Sequence, residues 1–185
     1  VQTCALPICE LVTGERMVRV PVREGCVEPA LGNADDVAFI AVVNRYNAAP
    51  PAVAFIRGFG VGTGAVAASV AHDCHNVVAV GGSRQALAEA VNALFKSRGG
   101  LALHDGSRTQ VLPLPIAGLM SDRPGAEVAA RYAEIDRFAK DLGSRLGAPF
   151  MTLAFMALLV IPALKLGPEG LFDVRAFRPV SLFAD

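Results

Sequence analysis

The sequence predicts an α+β fold, in which a mixed β-sheet packs in two layers with about two to four helices. Three observations carry this prediction: short apolar runs of strand length, two segments with helical periodicity, and an order of strands and helices without a strict βαβ repeat. The length of 185 residues suits one main domain. With 53% apolar and 18% charged residues, the chain has enough apolar side chains for a sizeable core.

The predicted strands are short, and the runs Val37–Val43 and Ala52–Ile56 are apolar throughout, which is typical of strands covered on both faces. An Asp105-Gly106 pair between two of the runs is typical of a β-hairpin turn. Met17–Val22 alternates but contains Pro21, so it can form only an edge strand. The other predicted strands are Val37–Val43, Ala52–Ile56, Val77–Val80, Leu101–His104 and Thr109–Leu112.

Two segments have the periodicity of amphipathic helices. In the first, Ser83 is a suitable N-cap and Gly99 and Gly100 end the helix. The second runs from about Pro124 to Leu142, with Ser121 or Asp122 available as its N-cap. The side chains expected on the buried stripes are Leu87, Val91, Leu94 and Phe95 in the first helix, and Val128, Tyr132, Ile135, Phe138 or Ala139, and Leu142 in the second.

Composition narrows the functional classes. Lysine plus arginine equals aspartate plus glutamate at 17 each, which argues against a nucleic-acid-binding domain. The longest uncharged run, Ala148–Leu164, is interrupted by prolines and is shorter than the roughly 20 residues of a membrane-spanning helix. None of the four cysteines forms a C-x-x-C pair, so we expect free thiols in a reducing cytoplasm.

A glycine loop follows the second apolar strand. Gly60 to Ala65 has the outline G-x-G-x-x-A of a dinucleotide-binding turn. However, Ala65–Ala71 is not amphipathic, and no acidic residue lies about 20 positions further on. We therefore interpret the loop as a tight connection between strands, and an oxidoreductase domain would rest on this motif alone.

The strongest polar signal is the run His72-Asp73-Cys74-His75-Asn76, set between apolar segments. Its groups suit metal binding, proton transfer or hydrogen bonding to a polar ligand. The alternative is a polar turn whose side chains satisfy nearby backbone groups. The chain has three histidines and no His-x-His, too few ligands for a two-metal hydrolytic centre, so we expect no metal ligands within it.

Four blocks of this sequence, in this order, resemble the C-terminal domain of the bacterial and archaeal adenine deaminase family. The resemblance covers about Val18 to the end of the chain, and the His72–Asn76 run matches it with Cys74 at a variable position. The blocks are GFGVGTGAVAASVAHDCHNVVAVG (Gly58–Gly81), LPLPIAGLMSD (Leu112–Asp122), PFMTLAFMALLVIPALKLGPEGLFDV (Pro149–Val174) and FRPVSLF (Phe177–Phe183).

The resemblance implies a hydrolase that converts adenine to hypoxanthine and ammonia, with Mn²⁺ or Fe²⁺ held by an N-terminal amidohydrolase barrel. That barrel is not in this sequence, so the chain is interpreted as a fragment: residues 1–17 as an atypical segment, foreign or disordered, and residues 18–185 as the family domain. The family often has acid-Arg-His where this chain has Asn44-Arg45-Tyr46.

The resemblance also directs attention to particular side chains. The candidates near the substrate are His72, Asp73 and His75, and those for substrate binding are Asn76, Arg45, Ser121 and Asp122. The expected partners are adenine, the barrel of the same polypeptide and a second copy of the chain, but neither nucleic acid nor membrane. We expect no metal bound to the fragment alone, no deaminase activity from it, and an exposed apolar docking patch. The alternative is a non-catalytic α/β module that binds a ligand or a partner chain.

Overall fold

The computed structural model of the chain describes residues 2–8, 12–20, 22–24, 26–27 and 36–183. Within these residues, eight strands form the main sheet, in the order β10-β9-β7-β8-β5-β6-β1-β2. Neighbouring strands are antiparallel except β1 and β6, which are parallel, so the sheet is mixed. The strands are β1 (Gln2–Ile8), β2 (Gly14–Val20), β5 (Val37–Val43), β6 (Ala52–Arg57), β7 (Ala65–Ala68), β8 (Val77–Gly81), β9 (Gly100–His104) and β10 (Thr109–Pro113).

Two smaller sheets and three helices complete the part of the chain that the structure describes. A short hairpin contains β3 (Val22–Arg23) and β4 (Cys26–Val27). A second, antiparallel sheet contains β11 (Leu164–Gly167), β12 (Gly170–Asp173) and β13 (Arg178–Pro179). The helices are α1 (Arg84–Ser97), α2 (Gly125–Asp141) and α3 (Pro149–Phe155). None of the helices in the described ranges is long and apolar enough to cross a membrane.

Helices cover both faces of the main sheet. On one face, Ala90 and Leu94 of α1 pack on the alanines of β7, β8 and β9. On the other face, α2, α3 and the small sheet form a larger core around Ile135, Leu153 and Leu166. Strands between two covered faces must be apolar throughout, which explains why β5, β7 and β8 do not alternate.

The structure confirms the predicted fold class and most predicted elements. The strand at Val37–Val43 has the predicted bounds, and the hairpin pairs Thr109 with His104 around Asp105-Gly106. Helix α1 begins after Ser83, whose hydroxyl accepts a hydrogen bond from the backbone N–H of Ala86 (3.1 Å). The edge strand predicted near Met17 is β2, the last strand in the sheet order; Pro21 lies outside the described residues.

Two local predictions were wrong. Phe95 was placed on the buried stripe of α1, but its side chain is 50% exposed, because Ala86 and Ala90 with Val91 and Leu94 form the buried face. Neither Ser121 nor Asp122 caps α2: Pro124 precedes its first residue without a side-chain hydrogen bond, while the Ser121 hydroxyl accepts from the N–H of Arg123 (3.1 Å).

Several elements had no counterpart in the prediction, among them β1, the β3–β4 hairpin, β7 and α3. Strand β1 lies in the segment where the sequence has no clear period, and it pairs with β2 from Gln2 opposite Val20 to Ile8 opposite Gly14. Strand β7 and helix α3 were assigned only as apolar segments. Because both faces of the main sheet are covered, the sheet is the middle of three layers, whereas two layers were expected. That residues 1–17 are foreign or disordered stays a prediction.

Candidate functional site

Antiparallel pairing brings three loops to one edge of the main sheet, which we call the site edge. It is formed where β5, β7 and β10 end and where β8 and β9 begin. The loops are 44–51, 69–76 and 114–124. Every candidate residue from the sequence lies in one of them: Arg45, His72, Asp73, His75, Asn76, Ser121 and Asp122.

Residues His72–Asn76, which we call the HDCHN turn, form a closed polar turn between β7 and β8. The N–H of His75 donates to the carbonyl oxygen of Ala71 (2.8 Å), and Nδ1 of His75 accepts from the N–H of Ala71 (3.3 Å). His75 has a left-handed backbone conformation, with φ of 49°. The imidazole of His75 therefore folds back on its own turn and stabilises it.

The remaining side chains of the HDCHN turn point in different directions. Asp73 and Cys74 are exposed, and Cys74 is a free thiol. The half-buried ring of His72 lies against Phe155, with 5.0 Å between ring centroids. Within the described part of the chain, the ring nitrogens of His72 have no hydrogen-bond partner. The two imidazoles thus make different contacts, and the donor and acceptor of the His72 ring are not used by any described residue of the chain.

Loop 44–51 is tied to the HDCHN turn by two hydrogen bonds. The buried amide of Asn76 accepts from the N–H of Arg45 through Oδ1 (3.3 Å), and the hydroxyl of Tyr46 donates to the carbonyl oxygen of Cys74 (2.8 Å). Asn44 closes this loop by accepting from the N–H groups of Tyr46 (2.9 Å) and Asn47 (3.1 Å). Tyr46 therefore contacts the turn through its hydroxyl.

Loop 114–124 is held to the same edge by Arg45 and by Ser69. The Arg45 guanidinium donates to the carbonyl oxygen of Ala117. The hydroxyl of Ser69 donates to the carbonyl oxygen of Gly118 (2.6 Å) and accepts from the N–H of Gly100 (2.8 Å). Gly118 packs so closely on Gly99 that a Cβ on Gly99 would lie 2.4 Å from the Gly118 Cα.

Two cavities open beside these loops. An apolar groove of about 370 Å³ lies next to His72, with walls that include Leu119, Tyr132 and Met151. Burial and the nearby Asp136 carboxylate raise the pKa of the Tyr132 hydroxyl in this groove. Ser121 and Asp122 line a separate polar cavity of about 250 Å³ at the start of α2.

The two cavities have a common wall, which contains Leu112 and Val128. The structure therefore brings Arg45 to Asn76 of the HDCHN turn but places Ser121 and Asp122 across that wall from His72.

The donor set does not fit a metal centre. Among the described residues, no three His, Cys, Asp or Glu side chains come close enough to hold a metal ion. His104 is far from the other histidines in the fold: it ends β9 at the opposite edge of the sheet, where its Nδ1 lies 2.9 Å from the Thr109 hydroxyl oxygen. We assign no chemical step to a metal on these residues.

The glycine loop also lies at the opposite edge, next to Asp36. The N–H of Gly58 donates to the backbone carbonyl oxygen of Asp36 (3.3 Å). Burial raises the pKa of the Asp36 carboxyl, although the nearby backbone N–H groups of the loop and Arg145 act in the opposite direction. Strand β7 follows the loop, where a dinucleotide site requires a helix N-terminus. The loop is thus the tight connection that the sequence indicated.

Sequence reasoning missed Ser69 and the contact of Tyr46. Ser69 carried no motif, and only its position between β7 and the HDCHN turn in an otherwise apolar run could have drawn attention to it. Tyr46 stood out only as a departure from the family pattern.

The fold and this edge define an α+β domain whose polar loops form a surface without a metal site in its described part. The chain belongs to the adenine deaminase C-terminal domain family, which matches residues 10–178. It is 54% identical to the adenine deaminase of Salinibacter ruber over 180 residues, which is 95% of this chain and 32% of that protein.

Two further relatives agree. The adenine deaminase of a Sulfurovum species is 54% identical over 84% of this chain and 29% of its own length. That of Methanosarcina mazei is 46% identical over 95% of this chain and 31% of its own length. The chain thus spans about a third of the length of the curated relatives that it matches.

Proposed function

We propose that this chain is the C-terminal domain of an adenine deaminase, a metal-dependent hydrolase that converts adenine to hypoxanthine and ammonia. The observation that carries the proposal is the 54% identity to an adenine deaminase over 95% of the chain. Because the described residues form no metal site, we assign the metal, Mn²⁺ or Fe²⁺, to a barrel domain in the remaining part of the enzyme.

The role we propose for this domain is to close the active site from outside the barrel, with the site edge facing the substrate. His72 supports this role, since its ring nitrogens are available and its ring is oriented by Phe155. Asp73 lies exposed beside it. An imidazole or a carboxylate can accept from the exocyclic amine of adenine, and an imidazole can also donate to a ring nitrogen, which would orient the base.

Exposed apolar side chains at the site edge support contact with the barrel. Tyr46 is 62% exposed and Met120 56%, and Met151 of α3, in the wall of the groove next to His72, is 57% exposed. Large apolar side chains that cluster around a polar feature are typical of an interaction surface. The same surface explains why we expect the chain alone to associate with itself. We assign the protein to the cytoplasm, where its thiols stay reduced.

The test is a chimera in which this chain replaces the C-terminal third of the Salinibacter ruber adenine deaminase. We expect the chimera with metal to release ammonia from adenine and the chain alone to release none. His72→Ala in the chimera should lower kcat/KM by about tenfold or more, because a group that orients the substrate is lost. His104→Gln at the opposite edge is the matched control and should leave kcat/KM unchanged.

Three results would contradict the proposal. A folded chimera without turnover would remove the assignment as a deaminase domain, and would favour a module that binds a ligand or partner. Equal kcat/KM for His72→Ala and the unmodified chimera would remove the site edge from the substrate. Turnover by the chain alone would contradict the proposal that the metal lies in the barrel and that this domain only closes the active site.

A further inference from the structure

We propose that Ser69 and Arg45 are positioning residues, which together fix the 114–124 loop against the HDCHN turn and so set the geometry of the site edge. The inference rests on the proposed function for its effect on turnover, but the contact itself is a property of this chain. Neither residue needs to touch the substrate for this role.

Ser69 connects three segments through one buried hydroxyl. The residue is 1% exposed, and its Oγ accepts from the N–H of Gly100 and donates to the carbonyl oxygen of Gly118. Its backbone N–H also donates to the carbonyl oxygen of Gly100 (3.0 Å). The hydroxyl therefore joins the end of β7, the start of β9 and the 114–124 loop, and an apolar side chain at this position would leave Gly100 N–H and Gly118 C=O without that partner.

Arg45 makes the second connection to the same loop. Its guanidinium donates to the Ala117 carbonyl, one residue before the carbonyl that Ser69 binds. Its backbone N–H donates to the buried Asn76 amide, at the end of the HDCHN turn. Arg45 therefore couples the loop and the turn directly, through atoms of one residue.

Small residues make the contact close. Gly118 has φ of 75°, and a Cβ there would lie 2.5 Å from the Arg45 guanidinium. The loop reverses at this point, and a bridge between Ile116 and Met120 closes it. Ser121 and Asp122 follow directly, so the position of both depends on how Ala117 and Gly118 are held.

The guanidinium of Arg45 is thus bound to a loop carbonyl, although the sequence made Arg45 a candidate for substrate binding. Asn76, another such candidate, is 3% exposed and accepts from a backbone N–H. Both observations favour a role in holding the site edge together.

The contact is tested first on the 185-residue chain by hydrogen–deuterium exchange with mass spectrometry. We expect Ser69→Ala and Arg45→Met to raise exchange about tenfold or more in residues 115–122, because local opening becomes easier. Ser83→Ala is the matched control, since it removes a hydroxyl cap at the opposite edge and destabilises the chain without touching the loop. Exchange in 115–122 that matches between Ser69→Ala and Ser83→Ala would overturn the inference.

The consequence is tested in the chimera described above. We expect Ser69→Ala to lower kcat/KM by about tenfold while Ser83→Ala leaves kcat and KM unchanged. Because Ser69 and Arg45 act on one loop, the double variant should lose much less than the product of the two single losses. Arg45→Lys keeps a donor for the Ala117 carbonyl and should recover part of the loss of Arg45→Met.

The outcomes separate the two proposals. If the unmodified chimera has no turnover, the proposed function fails, and exchange in the chain alone still decides whether Ser69 and Arg45 hold the loop. If the chimera is active and Ser69→Ala raises exchange but leaves kcat/KM within about twofold, the loop position does not matter for turnover and the positioning role is wrong.

Discussion

Gly100 is the position where the backbone of the site edge tolerates a side chain least. Its φ is 131°, and a Cβ on this residue would lie 2.0 Å from the carbonyl oxygen of Leu112 and 3.0 Å from the backbone nitrogen of Leu114. These are backbone atoms of β10 and of the loop that follows it, so they cannot move away as the end of a flexible side chain could. Gly100 also donates to Ser69. We expect Gly100→Ala to lower the stability of the whole domain.

The magnitude follows from two costs. An L-residue at this φ costs about 1–3 kcal/mol. Separating β10 from the added methyl group also strains the start of the β9–β10 pair, and a lost backbone hydrogen bond costs about 1 kcal/mol. The sum is about 2–4 kcal/mol in the free energy of unfolding. For a domain of this size, each kcal/mol lowers Tm by about 2–4 °C, so a decrease of about 4–16 °C is expected.

The assay is urea unfolding and thermal melting of the unmodified chain and the variant, with circular dichroism as the signal. Gly125→Ala is the matched control, because no atom lies within 4 Å of a Cβ at Gly125, the first residue of α2. Alanine there should leave stability unchanged or raise it by up to about 1 kcal/mol. A loss below about 1 kcal/mol for Gly100→Ala would refute the reasoning, since the strand would then have moved without cost.

Two further predictions concern the opposite edge of the sheet. Ser83→Ala removes the acceptor for the N–H of Ala86 and should lower the free energy of unfolding by about 1 kcal/mol, measured by urea unfolding. Ser83→Asp should keep most of the stability. Equal stability of Ser83→Ala and the unmodified chain would show that solvent replaces the cap. The N–H groups of Arg108 and Ser107 donate to the Asp105 carboxylate, which holds the pKa of this carboxyl well below the ordinary 3.8. Its contribution to stability is therefore fully present above pH 3.8 and decreases as the pH falls below that value. The difference in urea midpoint between the unmodified chain and Asp105→Ala should narrow as the pH is lowered through this range, and a difference that widens would contradict the assignment.

Local signals made several elements predictable. The buried strand Val37–Val43 follows from an unbroken apolar run, and the hairpin follows from Asp105-Gly106, because both depend on residues close in sequence. Strand β7 was harder, since AVAA is as compatible with a helix as with a strand until β8 and β9 pair with it. Helix α3 was hidden for a similar reason: in a segment that is apolar on every side, no periodicity separates helix from strand.

The site edge, too, was predictable from the sequence only in part. The sequence alone singled out the HDCHN turn, because two imidazoles, a carboxylate and an amide are unusual in an otherwise apolar segment. The resemblance of the chain to the adenine deaminase C-terminal domain was visible in the order of four sequence blocks. It could not show that His75 closes its own turn while His72 stays available, since that depends on the turn's backbone geometry.

What the sequence by itself determined is the fold class, the main strands and the family, all of which depend on local pattern or on block order. Only the tertiary structure decided which loops meet. Ser69, Arg45 and Gly118 are far apart in the chain, and they come together because antiparallel pairing of β5, β7, β8, β9 and β10 places one end of each strand at the same edge. Contacts of that kind are set by strand order, which no local pattern in this chain specifies.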